Sequence, residues 1–91
     1  KHLIERHEFL KDIETETYLI KDGSTIEGHT IKELNLRAVT GVTIIAVQRK
    51  DKAHQNPPSD FILKTGDVIL FLGKREDVNR AIEYLESGRF I

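Results

Sequence analysis

Residues 30–48 have the sequence TIKELNLRAVTGVTIIAVQ, and the order of elements within this stretch decides the fold. Thr30 and Glu33 have the spacing of a capping box, in which the hydroxyl accepts from the Glu33 N–H and the carboxylate reaches back to the Thr30 N–H. This spacing predicts a short helix over residues 31–35. A strand is predicted a few residues after this helix, so the stretch contains both kinds of element.

Strands are predicted on both sides of that helix. Gly41 breaks the chain, and the nearly continuous apolar run at 42–48 predicts a strand with both faces covered. Residues 14–21 alternate and are rich in Thr, Tyr and Ile, which predicts an earlier strand. Residues 53–56 predict a short return strand after a hairpin turn, and residues 68–72 predict a second buried strand.

Turn residues and a helix complete the expected fold. Pro57 and Pro58 stop strand pairing because neither has an N–H to donate, and Gly73 is expected to be a sharp corner. Residues 75–86 predict a terminal helix with an apolar stripe at Val78, Ala81, Ile82 and Leu85. The prediction is an α+β domain with a small mixed, mostly antiparallel sheet, a short helix after the first strand and a C-terminal helix.

The first residues are expected to be distinct from this domain. Residues 1–12 are charged, with apolar residues at roughly helical spacing, which predicts a short leading helix. We expect residues 1–13 to be a linker from a parent protein and residues 14–91 to be the domain. The chain contains no methionine, which also favours a fragment of a longer polypeptide.

The composition excludes several classes of function. The chain has 91 residues with 14 basic and 15 acidic side chains, so it has no general attraction for DNA, RNA or an anionic membrane. No apolar run approaches the ~20 residues that span a bilayer. Cysteine is absent, which excludes disulfides and thiolate metal sites and fits a reducing, cytoplasmic compartment.

The sequence predicts neither an enzyme nor a metal site. The four histidines lack the spacing of zinc ligands, and no EF-hand loop is present. The serines lie in turns without a nucleophile elbow. Asp67 follows Gly66 and is expected to form a turn, and the segment around Gly73 lacks the spacing of a Walker phosphate loop.

Arg37 is the strongest candidate for a binding residue. It follows the short helix and has apolar neighbours on both sides in the sequence. A guanidinium there could clamp a phosphate or a carboxylate with its five donors. Equally, it could make an i, i+4 contact with Glu33. The residues alone leave both alternatives open.

The motifs taken together resemble the TrkA C-terminal domain, also called RCK-C. The residues that carry the resemblance are Ser24, Ile26, Gly28, Thr30, Ile31, Glu33, Leu34, Leu36, Arg37, Gly41, Val42, Ile44, Ile45, Ala46, Val47, Arg49, Pro57, Asp60, Phe61, Leu63, Gly66, Asp67, Val68, Ile69, Leu70 and Gly73. The resemblance implies a two-fold dimer with a cytosolic regulatory role in potassium or other cation transport. Some members of the family bind cyclic di-AMP at the dimer interface.

The resemblance also implies a set of ligand-binding residues. Ile31 and Leu36 would pack on adenine, Ala38 would leave room beside them, and Arg37 would face phosphate. Val42 would add an apolar contact, and Thr43 would offer a hydroxyl where some relatives have Asn. Pro57 or Pro58 would close the far side, with His54 as a polar neighbour. No cofactor is expected, since the family's nucleotide-binding partner domain is absent from this chain.

The leading hypothesis from the sequence is therefore a homodimeric sensor that couples cyclic di-AMP, or another small anion, to a parent membrane transporter or channel. Its place would be the cytoplasm, at the inner face of the cell membrane. A cation/proton antiporter is the favoured parent because the leading segment resembles a linker. The alternatives are a ligand-free dimerisation module and the effector domain of a transcription regulator, with no nucleic acid bound by this domain itself.

Overall fold

The computed structural model describes residues 12–88, and the predicted leading helix lies almost entirely outside this range. The described elements are β1 (Ile13–Leu19), α1 (Ile31–Leu34), α2 (Leu36–Thr40), β2 (Thr43–Arg49), β3 (Lys52–Gln55), β4 (Val68–Lys74) and α3 (Arg75–Ser87). They form one four-stranded sheet in the order β1-β4-β2-β3. Every pair in it is antiparallel, so the predicted α+β class with a mostly antiparallel sheet is confirmed.

The start of the first helix follows the sequence prediction. Glu33 N–H donates to the Thr30 hydroxyl at 3.1 Å, and Thr30 N–H donates to the Glu33 carboxylate at 2.9 Å. The helix ends one residue earlier than expected because Asn35 adopts a left-handed conformation with φ 55°. Asparagine tolerates this conformation better than most residues do, so the chain can turn there.

A second short helix, α2, follows Asn35 directly, and the sequence did not predict it. Thr40 donates its hydroxyl to the Leu36 carbonyl at 2.7 Å, which closes the single turn. Gly41, with φ 93°, then ends the helix in a left-handed conformation that glycine adopts without strain. A helix of five residues is too short to show apolar periodicity, so this element left no pattern to detect.

The hydrophobic core lies between the sheet and the helices. Ile69 and Phe71 of β4 are fully buried, and α3 packs over β4 and β1 with Ala81 and Leu85 of its predicted apolar stripe buried. Tyr84 of α3 donates its hydroxyl to the Leu34 carbonyl at 2.6 Å. This hydrogen bond satisfies a carbonyl at the end of α1 and ties that helix to α3.

The expectation that Gly73 forms a corner is wrong. Gly73 lies inside β4, and the chain turns one residue later, where β4 ends at Lys74 and α3 begins. Glycine is needed here because the backbone of β4 lies close to Val42: a Cβ at position 73 would be 3.0 Å from Cγ1 of Val42. Val42 is fully buried, so it has little room to move away.

The expectation that both faces of the strand at 42–48 are covered is wrong for a single copy. Val47 is buried, whereas Thr43 is exposed and Ala46 is half-buried. Burial also alternates along β4, where Ile69 and Phe71 are buried and Leu70 is half-buried, so within residues 12–88 the two faces of the sheet are unequally covered.

A partly buried ion pair connects β2 to the turn before β4. Arg49 donates from Nε to Oδ1 of Asp67 at 2.9 Å and from Nη2 to Oδ2 at 2.8 Å. Nη2 also donates to the Ile62 carbonyl at 2.8 Å, and the Lys64 N–H donates to Oδ2 at 2.9 Å. The predicted turn role of Asp67 is confirmed by that last bond. The ion pair with Arg49 was not predicted.

The ionised form of Asp67 is the stable one in the folded protein. Asp67 is only 1% exposed, and this burial acts to raise its pKa. The hydrogen bonds from Arg49 and from the Lys64 N–H outweigh burial, so the pKa lies below its ordinary value. The same pairing raises the pKa of Arg49.

We expect Gly73→Ala to lower the free energy of unfolding by about 1–3 kcal/mol, the usual cost of overpacking a core. The added methyl group would meet Cγ1 of Val42. Val42→Ala removes that atom, so adding Gly73→Ala in this background should cost clearly less. Urea denaturation of the four proteins measures the coupling. Additive costs would contradict the contact.

We expect Asp67→Asn to lower the free energy of unfolding at pH 7 by about 3 kcal/mol, because it leaves the partly buried Arg49 charge without its partner. A lowered pKa means that Asp67 contributes stability above its unfolded pKa of about 3.9 and loses it as pH falls through the lowered value. The variant should therefore lose stability less steeply below about pH 4. Glu14→Gln, in the exposed Arg75–Glu14 pair, is the control and should leave the thermal midpoint nearly unchanged.

Candidate functional site

A shallow cleft of about 270 Å³ lies between the two short helices, the start of β2 and the segment after β3. Its lining residues are Ile31, Lys32, Asn35, Leu36, Arg37, Thr43, Ile44, Pro57 and Ser59. Leu36 is 1% exposed, so it belongs to the core and forms the floor of the cleft. The walls therefore come from segments that are far apart in the sequence.

The cleft brings together most of the residues that the resemblance implied. Ile31, Leu36, Arg37, Thr43 and Pro57 all line it. Ala38, Val42, His54 and Pro58 are not among its lining residues.

The predicted residues outside the cleft have different environments. Val42 has no exposed surface and lies next to Gly73 of β4. His54 lies against Phe61, with ring centroids 5.2 Å apart and planes inclined at 55°. Ala38 and Pro58 are exposed. In a single copy these four residues can support the cleft or flank it, but they do not line it.

Arg37 is exposed, and among residues 12–88 its side chain has no hydrogen bond or ion pair. The alternative contact with Glu33 does not form, because the left-handed Asn35 places residues 33 and 37 on separate helices. Glu33 instead accepts from the Thr30 N–H and approaches Nδ1 of His29 at 3.2 Å. The guanidinium of Arg37 therefore remains available to a ligand.

The charge around the cleft favours an anion. Lys32 and Arg37 are its charged lining residues, and no carboxylate is among the described lining residues. Glu33 lies nearby on α1, where the Thr30 N–H and then His29 hold the pKa of its carboxyl below the ordinary value. The Glu33 carboxylate is thus already hydrogen-bonded at the start of α1. Asn35, Thr43 and Ser59 add polar groups that can donate or accept hydrogen bonds.

Hydrogen bonds hold the second wall of the cleft against the first. The Ile31 N–H donates to the Phe61 carbonyl at 3.1 Å, and the Lys32 N–H donates to the Ser59 carbonyl at 2.9 Å. The guanidinium of Arg49 lies 4.8 Å from the centroid of the Phe61 ring, within range of a cation–π contact. The segment that carries Pro57 and Ser59 therefore has a defined position.

Lys32, Asn35, Ile44 and Ser59 line the cleft although the sequence did not predict them as site residues. Lys32 and Asn35 lie next to predicted site residues on the same short helix, so proximity could have suggested them. Ser59 depends on the pairing of its segment with α1, which no local pattern encodes.

Metal sites and membrane-spanning helices were also sought among the described residues. Within residues 12–88, no group of three or more His, Cys, Asp or Glu side chains could hold a metal ion. None of the helices described there has both the length and the apolar character needed to cross a membrane.

Comparison with known proteins places the chain in a family. The TrkA-C domain model matches residues 16–86. The probable potassium channel protein 2 of Methanocaldococcus jannaschii is 36% identical over 84 residues, which cover 92% of this chain and 23% of that protein. The K⁺/H⁺ antiporter subunit KhtT of Bacillus subtilis is 28% identical over 78 residues, 85% of this chain and 47% of that subunit.

A solved structure shows the same fold. The RCK_C domain dimer of S. agalactiae BusR in complex with c-di-AMP has a TM-score of 0.71 and 27% sequence identity, and the match covers 80% of this chain and 96% of that chain. The chain spans less than half the length of the two transport proteins that it resembles. The predicted division at residue 13 stays a prediction. On the match across residues 16–86, the chain belongs to the TrkA-C domain family.

Proposed function

We propose that this domain is a regulatory sensor that binds cyclic di-AMP at a dimer interface and thereby controls potassium or other cation transport by a parent protein. The observation that carries the proposal is Arg37, which has no partner among residues 12–88 and lies at the edge of a cleft whose described lining mixes apolar and polar residues without a carboxylate. The BusR domain dimer in complex with c-di-AMP, 27% identical to this chain, supports the choice of ligand.

The cleft suits one half of such a ligand. Arg37 would donate to a phosphate, where charge-assisted hydrogen bonds are strong. Ile31 and Ile44 would contact the adenine faces, with Leu36 beneath them. Thr43 and Ser59 would offer hydrogen bonds to the base or the ribose. Val42 would act indirectly, since its buried side chain supports the strand that carries Thr43.

The size of the cleft argues for two copies. A volume of about 270 Å³ lies below the roughly 300–1,000 Å³ that pockets for drug-sized ligands enclose. Cyclic di-AMP has two identical halves, each with one adenine and one phosphate. Two clefts related by a two-fold axis would present two Arg37 side chains to the two phosphates. A homodimer therefore fits the symmetry of the ligand.

The parent protein is proposed from the relatives. The potassium channel protein and the antiporter subunit place related domains in potassium transport. We infer that this domain acts in the cytoplasm, at the inner face of the membrane, and that ligand binding is passed to the parent transporter or channel. An antiporter remains our preferred parent.

We expect titration calorimetry to show cyclic di-AMP binding by the chain and Arg37→Ala to weaken it about 10- to 100-fold, the loss expected for hydrogen bonds to a charged group. Arg80→Ala is the matched control, because Arg80 is also exposed but pairs with Asp77 on α3, outside this cleft. It should leave the affinity unchanged.

Two results would contradict the proposal. The absence of heat at high micromolar ligand would remove cyclic di-AMP and favour the ligand-free dimerisation module. Equal affinities for Arg37→Ala and the unsubstituted chain would remove the phosphate clamp. A transcription regulator as the parent would leave both results unchanged, since the binding site would be the same.

A further inference from the structure

A second cleft lies between α2 and α3, and we call it the helix groove. It has a volume of about 280 Å³. Val39 of α2 is 49% exposed and Thr40 only 3%, so the groove has an accessible apolar rim and a buried floor. Because Arg37 of the same helix lines the ligand cleft, α2 borders both clefts. The residues that line the helix groove are Val39, Thr40, Arg80, Glu83, Tyr84 and Ser87.

The hydroxyl groups of the helix groove donate their protons to the domain itself. Thr40 donates to the Leu36 carbonyl at 2.7 Å, and Tyr84 donates to the Leu34 carbonyl at 2.6 Å. Ser87 donates to the Tyr84 carbonyl at 2.7 Å. A hydroxyl has a single proton to donate, so these three groups offer no further donor to an occupant. The middle of the groove therefore suits an apolar group.

The charged groups of the helix groove favour a cation beside that apolar group. Arg80 is paired with Asp77 on the same helix. Glu83 is exposed, and no ion pair joins it to another residue in the range 12–88. An occupant with an apolar side chain and a neighbouring positive charge would match both features. Arg89 and Phe90 are adjacent in the sequence and supply this combination.

The chain leaves α3 at the end of the helix groove. Ser87, the last residue of α3, lines the groove, and Gly88 follows it in a left-handed conformation with φ 67°. A Cβ at Gly88 would lie 2.8 Å from Oγ1 of Thr25, so the backbone is closely packed at this turn. After such a cap, the chain commonly makes a hydrophobic contact with the last turn of the helix, which here includes Tyr84. Residues 89–91 lie outside the described range.

The reach of the chain and the size of the helix groove fit Phe90. Tyr84 lies four residues before Gly88, which corresponds to about 6 Å along the helix axis. The two residues from Gly88 to Phe90 span up to ~7 Å when extended. A cavity of about 150 Å³ can hold benzene, so a groove of about 280 Å³ has room for a phenyl ring.

We propose that Phe90 of the same chain occupies the helix groove, with Arg89 beside Glu83, and that this contact holds α2 against α3. A segment joined to its site by two residues has an effective concentration of about millimolar, which favours it over a partner at lower concentration. Because α2 carries Arg37, the segment would also restrict the helix that presents the guanidinium. The helix groove itself takes no part in the proposed ligand binding.

Two backbone amides report directly on α2. The Val39 N–H donates to the Asn35 carbonyl at 3.2 Å, and the Gly41 N–H donates to the Arg37 carbonyl at 2.8 Å. Both hydrogen bonds must open when α2 leaves α3 and unwinds, whereas the sheet can stay intact. Local opening of this kind is measured by native-state hydrogen exchange.

We expect Phe90→Ala to speed exchange of the Val39 and Gly41 amides by about tenfold, measured by NMR on the 91-residue chain without ligand. The Ile20 N–H, which donates to the Asp67 carbonyl at 2.8 Å, is the internal reference. Its exchange should stay unchanged, because α2 opens without the sheet. If Phe90→Ala speeds exchange at Ile20 as well, Phe90→Leu decides: it keeps an apolar side chain and should affect only the α2 amides.

Variants of the neighbouring residue and of the groove provide the controls. Ile91→Ala is the matched control, since successive side chains of an extended segment point in opposite directions. It should leave exchange of the α2 amides unchanged. Val39→Ala removes the apolar rim, so the double variant with Phe90→Ala should exchange little faster than either single variant.

Three outcomes would overturn the proposal. Unchanged exchange of both α2 amides in Phe90→Ala would show that Phe90 does not hold this helix. The same acceleration by Phe90→Ala with and without Val39→Ala would place its contact outside the helix groove. Protection of α2 that rises with protein concentration would assign the groove to a second copy. All of these measurements are made without cyclic di-AMP, so failure of the ligand proposal leaves the test intact.

Discussion

The ion pair between Arg49 and Asp67 joins β2 to the turn before β4 and to the segment that precedes that turn. Asp67 is almost fully buried, and a buried carboxylate is stable only with a charged partner and further hydrogen bonds. Arg49 supplies the charge from β2 and also binds the Ile62 carbonyl. A single side chain thus fixes both the turn before β4 and the segment that reaches back to α1. The wall of the cleft that carries Pro57 and Ser59 depends on this arrangement.

The partners of the carboxylates of Asp67 and Glu33 affect the charge that a ligand meets in the cleft. Asp67 is neutralised by Arg49, and the Glu33 carboxylate is held by the Thr30 N–H and His29. Both acidic groups therefore already have partners within the domain, whereas Arg37 has none in the described range. An anion that enters the cleft meets an unpaired cation without first displacing a carboxylate. This use of the structural carboxylates supports the anionic ligand that we propose.

The sequence predicted the parts of the fold that local chemistry encodes. The capping box at Thr30, the apolar strand through Phe71 and the stripe on α3 each have a short-range pattern, and all are present. The sequence did not predict the break at Asn35, which depends on the second helix that follows it. Nor did it predict the role of Gly73, which depends on the neighbouring Val42. For the site, family resemblance indicated Arg37, whereas Ser59 required the tertiary pairing of its segment with α1.

The antiparallel sheet is packed from one side by α3, which contacts β4 and β1, and such a sheet can leave its other face to solvent or to a partner. On that other face Val68, Leu70 and Leu72 of β4 are half-buried within a single copy. Thr43 pairs with Leu72 and also lines the cleft, so the second face of the sheet and the cleft share a residue. In the proposed dimer, a ligand that contacts both copies would stabilise their pairing by linkage, because it would bind the pair more tightly than the single copy.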